Sequence, residues 1–337
     1  MQKNQPLRDI PTHMRAMEIV SGALQLRQHA VPTIAADEVL VRVAYAGTNR
    51  ADLLQVEGSY RPPAGASDVP GREMSGTIAA LGKNVQGWSV GQPVCALLSG
   101  GGYAEYVAAP ATQLLAIPET ITLAEAAVLP EAAATSVMAL LLEARLQAGE
   151  RVLVHGGTSG LGIILVQIAR ALGAEVFATV GTDEKVDFLK QFEVHGINHR
   201  TAPFLEQVMA ATNDGGVDVI IDTLGAPQFA NHLKLLRKNG RMVTLAMLEG
   251  NVVESVKISG LLMKSLRWSG ATLRGRSLME KAEIMDIIRT KIAPFLAKGR
   301  IKPVIDSVFP LENAENALKK MQERLHLGKI LLEVSAK

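Results

Sequence analysis

Cysteine is almost missing from this sequence: Cys95 stands alone among 337 residues. One thiol excludes an internal disulfide framework and any four-cysteine metal lobe, and it fits a reducing compartment. An excess of one charge is missing too. Thirty-five Lys and Arg against 33 Asp and Glu leave a formal charge of +2, too little to draw the chain to nucleic acid or a membrane surface. The one basic cluster, "LLRKNGR" (235–241), has no interleaved aromatics, so no nucleic-acid partner is expected. Long uncharged apolar runs are absent as well: "GIILVQIARALGAEVFATV" is broken by Arg170 and Glu175, which argues against a membrane span. The opening "MQKNQPLRDIPTH" has no apolar centre of the kind a secretory leader needs. Residues 1–13 are expected to be a loose tail, and the protein to be cytoplasmic with no membrane partner.

What is present is the composition of a globular protein, 48% hydrophobic and 20% charged, with a length that suits two domains. Up to about residue 120 the text is short Val-, Ala- and Tyr-rich strands, such as "EVLVRVAYAG" (38–47), "MSGTIAALG" (74–82) and "YAEYVAAP" (103–110). They alternate with turn-rich linkers, which predicts a compact barrel-like unit. "LAEAAVLPEAAATSVMALLLEA" then reads as helix broken by Pro130. From Arg151 the rhythm changes to strand–helix alternation. Strands are predicted at 151–154, 175–180, 217–222 and 241–247. Helices are predicted at 161–172, 183–192, 203–212 and over "PQFANHLKLLRKN", the last closed by Gly240. Fully apolar strands in repeated βα units predict a doubly wound parallel sheet covered on both faces. After residue 275 come two more helical stretches and a last strand, "KILLEV", which could return to complete the first domain.

The stretch "RVLVHGGTSGLG" (151–162) carries the chemistry. An apolar strand opens into glycines and at once into a helix, the arrangement that lets a pyrophosphate approach backbone N–H groups at a helix N-terminus. Gly156, Gly157, Thr158, Ser159, Gly160, Leu161 and Gly162 are therefore assigned to the cofactor, with hydroxyl donors at Thr158 and Ser159. The second strand ends "ATVGT", with no acid at Val180 or Gly181 for a ribose 2′-hydroxyl. Gly181, Thr182 and Lys185 instead offer space, a hydroxyl and a cation for a 2′-phosphate, so NADPH is favoured. Asp183 and Glu184 count against this, but as first-turn helix residues they are expected to face solvent. Asp222, ending another buried strand, either holds a ribose or caps the next turn. A short-chain dehydrogenase would need a tyrosine with lysine four residues on, and Tyr45, Tyr60, Tyr103 and Tyr106 all lack one.

With "NRADLLQVEGSYRPPAGAS" (49–67), "GGGYAEYV" (100–107), "GGTSGLG" (156–162), "GATLRGR" (270–276) and "GKI" (328–330), the chain resembles the medium-chain dehydrogenase/reductase superfamily. Within it, the zeta-crystallin-like NADPH:quinone oxidoreductases are most similar. The resemblance extends over nearly the whole chain from Met14. It implies an α/β fold: a GroES-like β-rich catalytic domain (14–130, with return of 273–337) and a doubly wound Rossmann NADPH-binding domain (131–272). It also implies a homodimer joined around "SLRWSG" and hydride transfer in the cleft between domains. Asn49 and Tyr60 match positions that line the nicotinamide and acceptor pocket. The Gly100–Tyr103 loop and Arg274 match positions beside the cofactor, and Lys329 one near the cofactor or the cleft. His199 stands where the resembled group often has a tyrosine near the adenosine phosphate.

Zinc enzymes of this superfamily need a cysteine near the position of Gly47 and a His-Glu pair. Here "GREMSG" puts Arg72 before Glu73, and His195 and His199 lack further soft ligands, so no metal is expected. That constrains the reaction. Hydride added to an isolated ketone makes a strongly basic alkoxide, which calls for a Lewis acid or a strong proton donor. A quinone gives a phenolate whose conjugate acid lies near the tyrosine value of about 10. The expected activity is NADPH-dependent, zinc-free reduction of quinones or other electrophilic acceptors. Reduction of enoyl or enone double bonds on the same scaffold, and non-catalytic NADPH sensing, are the alternatives.

Overall fold

The computed structural model describes residues 10–335, so most of the expected N-terminal tail lies outside the described residues. The chain divides into two compact units. One holds the sequence up to Ala134, Arg274–Lys291 and everything from Pro303; the other holds Thr135–Leu273 and Ile292–Lys302.

The first unit begins with an antiparallel hairpin of β1 (His13–Val20) and β2 (Ala23–Ala30), turned at Ser21 and Gly22, both at positive φ. A seven-stranded sheet follows, built from β3 (Glu38–Gly47), β4 (Glu73–Leu81), β5 (Pro93–Leu97), β6 (Tyr106–Pro110) and β7 (Leu114–Ala116). Two strands from the far end of the chain, β14 (Ile305–Pro310) and β15 (Lys329–Glu333), complete it, β15 lying antiparallel to β3. Val41, Met74, Ile78, Tyr103 and Leu332 sit in its core. The helix Arg50–Val56 was not anticipated from the sequence. Asn49 precedes it, and the Asn49 N–H donates to the Asp52 carboxylate at 2.8 Å, the side-chain-to-backbone half of an N-terminal capping box.

The second unit is a six-stranded parallel sheet in the order β10 (His195–Asn198), β9 (Glu175–Val180), β8 (Arg151–His155), β11 (Val217–Asp222), β12 (Leu236–Thr244) and β13 (Arg267–Gly270). The strands β9 and β11 are buried almost without interruption, as a sheet covered on both faces requires. Leu153, Phe177, Ile220, Leu233 and Met242 form its core. Truncating a fully buried residue such as Leu153 to alanine is expected to cost about 2–5 kcal/mol.

Two expectations are corrected here. The helix expected to run to Gly240 spans Phe229–Leu235, and β12 starts at Leu236. The reason is Lys264, whose ammonium takes the carbonyls of Leu233, Lys234 and Leu236 at 3.2, 2.8 and 2.8 Å and so ends the helix early. The β11–β12 register then jumps from Val217–Leu236 to Val219–Arg241, with Asn239 in the left-handed region. Second, Ile292–Lys302, expected with the first domain, belongs to the second unit. Gln167 holds it there through both its amide atoms, bonded to the Lys302 backbone at 2.8 and 2.9 Å. The helical stretch Leu123–Glu143 is long and apolar enough to cross a membrane by length and composition, but 78% of its most apolar window is buried in the protein.

Candidate functional site

The predicted site residues fall into two groups, one in each unit. In the second unit the glycine turn joins β8 to the helix Gly160–Ala171. Gly156 lies at φ +73°, where a side chain is strained. A Cβ on Gly157 would come within 2.5 Å of the Ala178 Cβ, and one on Gly162 would overlap the Gly156 carbonyl. The turn therefore tolerates no side chains where strand, turn and helix pack. Ser159 caps the helix by accepting the Gly162 N–H at 3.0 Å, so its oxygen orders the turn. Thr158 is buried, while Gly160 and Leu161 are half-buried at the helix start. The first N–H groups of such a helix have no intrahelical partner and face a bound anion with the positive end of the dipole.

At the end of β9, Thr182 caps the helix Asp183–Lys190 by accepting the Lys185 N–H at 3.3 Å. Gly181 matters for what lies over it: the Arg200 Nε is 3.5 Å from where a Gly181 Cβ would be. Arg200 is a cation that reasoning from sequence missed; its only signal was its place two residues after the end of β10. His199 is exposed, and its N–H is bonded to the Val180 carbonyl at 3.1 Å. Asp183 and Glu184 are exposed as expected, although Asp183 also accepts the Asn198 amide at 2.7 Å. Asp222 caps the turn that follows β11. Its Oδ1 accepts the N–H groups of Leu224 and Gly225 (2.8 and 3.1 Å), and its Oδ2 the Thr244 hydroxyl at 3.1 Å.

Behind the glycine turn lies a buried histidine pair. The Nε2 atoms of His155 and His232 are 2.8 Å apart, and the His155 Nδ1 is 3.0 Å from the Thr179 hydroxyl. Thr179 Oγ1 already accepts the Gly156 N–H at 3.3 Å. Burial holds the His155 pKa well below the usual imidazole value; it pulls His232 down to about 4, against the opposing charge of Asp222. Together with Asp222 these residues form a cluster of three possible metal donors within 4.8 Å of one another. Their geometry is that of a hydrogen bond. Two imidazole nitrogens bound to one tetrahedral ion at about 2.0–2.1 Å stand about 3.3 Å apart, wider than the 2.8 Å between these Nε2 atoms.

The first unit gathers Asn49, Tyr60, Arg274 and Lys329. Lys329 is 3% exposed and pairs with Glu73, itself fully buried. The Asn49 side chain bridges the two: Oδ1 accepts from Lys329 at 2.7 Å and Nδ2 donates to Glu73 at 2.9 Å. The second Glu73 oxygen accepts the Glu131 N–H at 2.9 Å. Lys329, expected near the cofactor or the cleft, has its ammonium paired with Glu73. Arg274, also expected at the cofactor, is 3% exposed, and its guanidinium ties together Gln55, Tyr60 and Ser99. Tyr60 is half-buried. In the Gly100–Tyr103 loop, the Tyr103 hydroxyl donates to Asp52 at 3.0 Å, and burial pushes the Tyr103 pKa well up. Cys95 is a core residue, its thiol pushed up to about 12 by burial.

Residues 35–119 match the family described as alcohol dehydrogenase GroES-like domain, and residues 160–289 the family described as zinc-binding dehydrogenase. A quinone oxidoreductase from Rattus norvegicus is 32% identical over 85% of this chain and 86% of its own length. The chain belongs to the medium-chain dehydrogenase/reductase superfamily. A synaptic vesicle membrane protein VAT-1 homolog from Homo sapiens is 29% identical over 92% of this chain and 82% of its own. The solved structure of CurK enoyl reductase superposes with a TM-score of 0.83 at 27% identity, covering 96% of this chain and 99% of that one. This member of the superfamily is an oxidoreductase with a GroES-like and a Rossmann-type domain and a nicotinamide cofactor. The glycine turn fits such a cofactor. Zinc does not fit the corner of Gly47, Arg72 and Glu73. No thiol or imidazole is supplied there, and the Glu73 oxygens are taken by an ammonium, an amide and a backbone N–H.

Proposed function

We propose that this protein is an NADPH-dependent quinone reductase that works without zinc. Glu73 carries the reading. A carboxylate locked by Lys329, Asn49 and the Glu131 N–H cannot serve a Lewis acid, so the acceptor must tolerate hydride addition without one. A quinone does, because its reduced oxygen is a phenolate with a conjugate acid near the tyrosine value of about 10.

The bound nicotinamide cofactor supplies the hydride. The turn Gly156–Gly162 and the N-terminus of the helix Gly160–Ala171 hold its pyrophosphate. Gly181 leaves room for a 2′-phosphate, which Lys185, Arg200 and the Thr182 hydroxyl receive. Asn49, with both ends of its amide engaged, positions Lys329 and Glu73 rather than touching the acceptor. Tyr60 offers a flat face and a hydroxyl to the acceptor. The protein is a cytoplasmic homodimer in this reading. Strand β13 ends its sheet, and Trp268 on it is 56% exposed, with Leu262 and Met263 also exposed nearby in the chain. A second copy would extend the sheet across that edge.

The test is NADPH oxidation by EDTA-treated protein, with benzo- and naphthoquinones run beside an enone and an enoyl thioester, and NADH in place of NADPH. Chelator-resistant quinone turnover is expected. Lys185→Ala with Arg200→Ala is expected to cut the preference for NADPH over NADH at least tenfold, roughly one charge-assisted phosphate contact. Turnover confined to the double-bond acceptors would favour the second reading, enoyl or enone reduction, which the likeness to CurK enoyl reductase supports.

A further inference from the structure

Buried charge in the first unit does not balance. Glu73 pairs with Lys329, and Glu131 with Arg72, whose Nη2 lies 2.8 Å from the Glu131 carboxylate. One carboxylate, Asp52, is left against two cations, Arg274 and Lys281, each 3% exposed. Neither cation touches a carboxylate among the described residues. Arg274 donates to the Ser99 carbonyl (3.3 and 3.2 Å), the Tyr60 carbonyl (3.2 Å) and Gln55 Oε1 (2.7 Å). Lys281 donates to the Ser99 hydroxyl at 2.9 Å and the Arg274 carbonyl at 3.2 Å. Burial raises the Asp52 pKa, against the opposing pull of Arg72.

One of the two surplus cations, Arg274, and the paired Arg72 flank a single ring. The guanidinium carbons of Arg274 and Arg72 lie 5.1 and 5.8 Å from the Tyr60 centroid. The Arg72 Nε is buried there without an acceptor, although its Nη2 is paired. Cation–π contact favours this placement only modestly. An unneutralised, desolvated positive charge is costly, and a negative group brought to it by a ligand would remove that cost.

We propose that the Tyr60 face is an anion subsite, and that the acceptor carries a fixed acidic group, such as a carboxylate or sulfonate, beside the ring it presents for reduction. The identity of that ring as the reducible group rests on the quinone reading above; the anion subsite itself does not. Arg72, Arg274 and Lys281 are positioning residues that act through the potential they set at Tyr60.

The experiment has a binding arm and a turnover arm. In calorimetry, the non-reducible 2-naphthalenesulfonate is compared with 2-naphthalenemethanol. In turnover, 1,4-naphthoquinone-2-sulfonate is compared with 1,4-naphthoquinone. Both arms are run on the wild type, on Lys281→Met, which orphans no carboxylate, and on Arg72→Met with Glu131→Gln, which removes an ion pair as a unit. The quantity read is the ratio of anionic to neutral ligand, whose change between proteins cancels the different potentials of the two quinones. General damage to the fold lowers both members and leaves the ratio in place.

The expected result is a wild-type binding ratio of about ten or more, the size of one charge pair at a few ångströms in a partly buried setting. It should fall several-fold in each variant. Equal binding of the two naphthalenes, or a ratio unmoved by both substitutions, overturns the proposal. So does weaker NADPH binding in Lys281→Met with an unchanged ratio, since the cations would then serve the cofactor's phosphates. A sulfonate preference that falls in the variants, in a protein that reduces no quinone, keeps the anion subsite and removes the quinone reading.

Discussion

The two units bury polar groups in opposite ways. The first keeps full charges inside: Asp52, Arg72, Glu73, Glu131, Arg274, Lys281 and Lys329 are all nearly inaccessible. The second buries mostly neutral polar groups, among them Thr158, Thr179, Gln167 and the His155–His232 pair, with Asp222 as its buried carboxylate. In the proposed reading, the contrast follows the ligand each unit handles. A pyrophosphate is met by backbone N–H groups and a helix end, which need no ionised side chain. An acceptor that gains negative charge is met by ions prearranged in a low-dielectric setting.

The contrast is broken most severely at Lys329. Lys329→Met leaves Glu73 buried without a counter-ion and is expected to cost the first unit about 3–5 kcal/mol. Urea unfolding checks this, and Lys329→Met with Glu73→Gln should recover much of the loss. Next is Gly162→Ala, whose methyl must displace the Gly156 backbone. It is expected to cost about 1–3 kcal/mol of local strain and to weaken cofactor binding by calorimetry, while a hydrogen-exchange profile of the first unit stays unchanged.

Acid separates the units by sign. With pKa values held below the imidazole reference, His155 and His232 are neutral when folded and take protons when unfolded. Their contribution is therefore present above about pH 6.5 and is lost as pH falls toward the His232 value of about 4. The buried carboxyls of Asp52 and Glu131 are raised, mainly by burial. Their contribution is present below the unfolded carboxylate values and is lost as pH rises through the folded ones. Acidification from pH 6.5 should thus loosen the second unit first, read as earlier hydrogen exchange there, and His232→Asn should flatten that limb. The smallest effect is at Ser159→Ala, where loss of the cap should cost about 1 kcal/mol and weaken cofactor binding only slightly.

The second unit was the more legible in sequence because its signals are local. The strand at 175–180 and the strand at 217–222 coincide with the observed β9 and β11, since an apolar run followed by a capped helix announces itself within a dozen residues. The helix before β12 was misjudged because Lys264, nearly thirty residues on, decides where it stops. In the first unit "NRADLLQV" was read for its pocket-lining residues and not for its helix, although Asn49 and Asp52 stand at capping spacing. The pairing of Glu73 with Lys329 could not be read at all. Nothing local in "GREM" or "GKI" says that residues 256 positions apart will meet. Arg200 was missed for a similar reason: its proximity to Gly181 exists only once β9 and β10 lie side by side.

The closing of the first sheet by β15 also sets a timetable. During synthesis the second unit has all six of its strands in hand once residue 270 has emerged. Strand β3, made among the first fifty residues, must wait for β15 to supply one of its neighbours. Glu73 waits as long for its counter-ion. A chain released before β15 is made could hold a complete second unit while its first unit keeps an open sheet edge and an uncompensated buried acid. Such a product is a ready substrate for cellular proteases, so the pairing of β15 with β3 also guards the first unit against them.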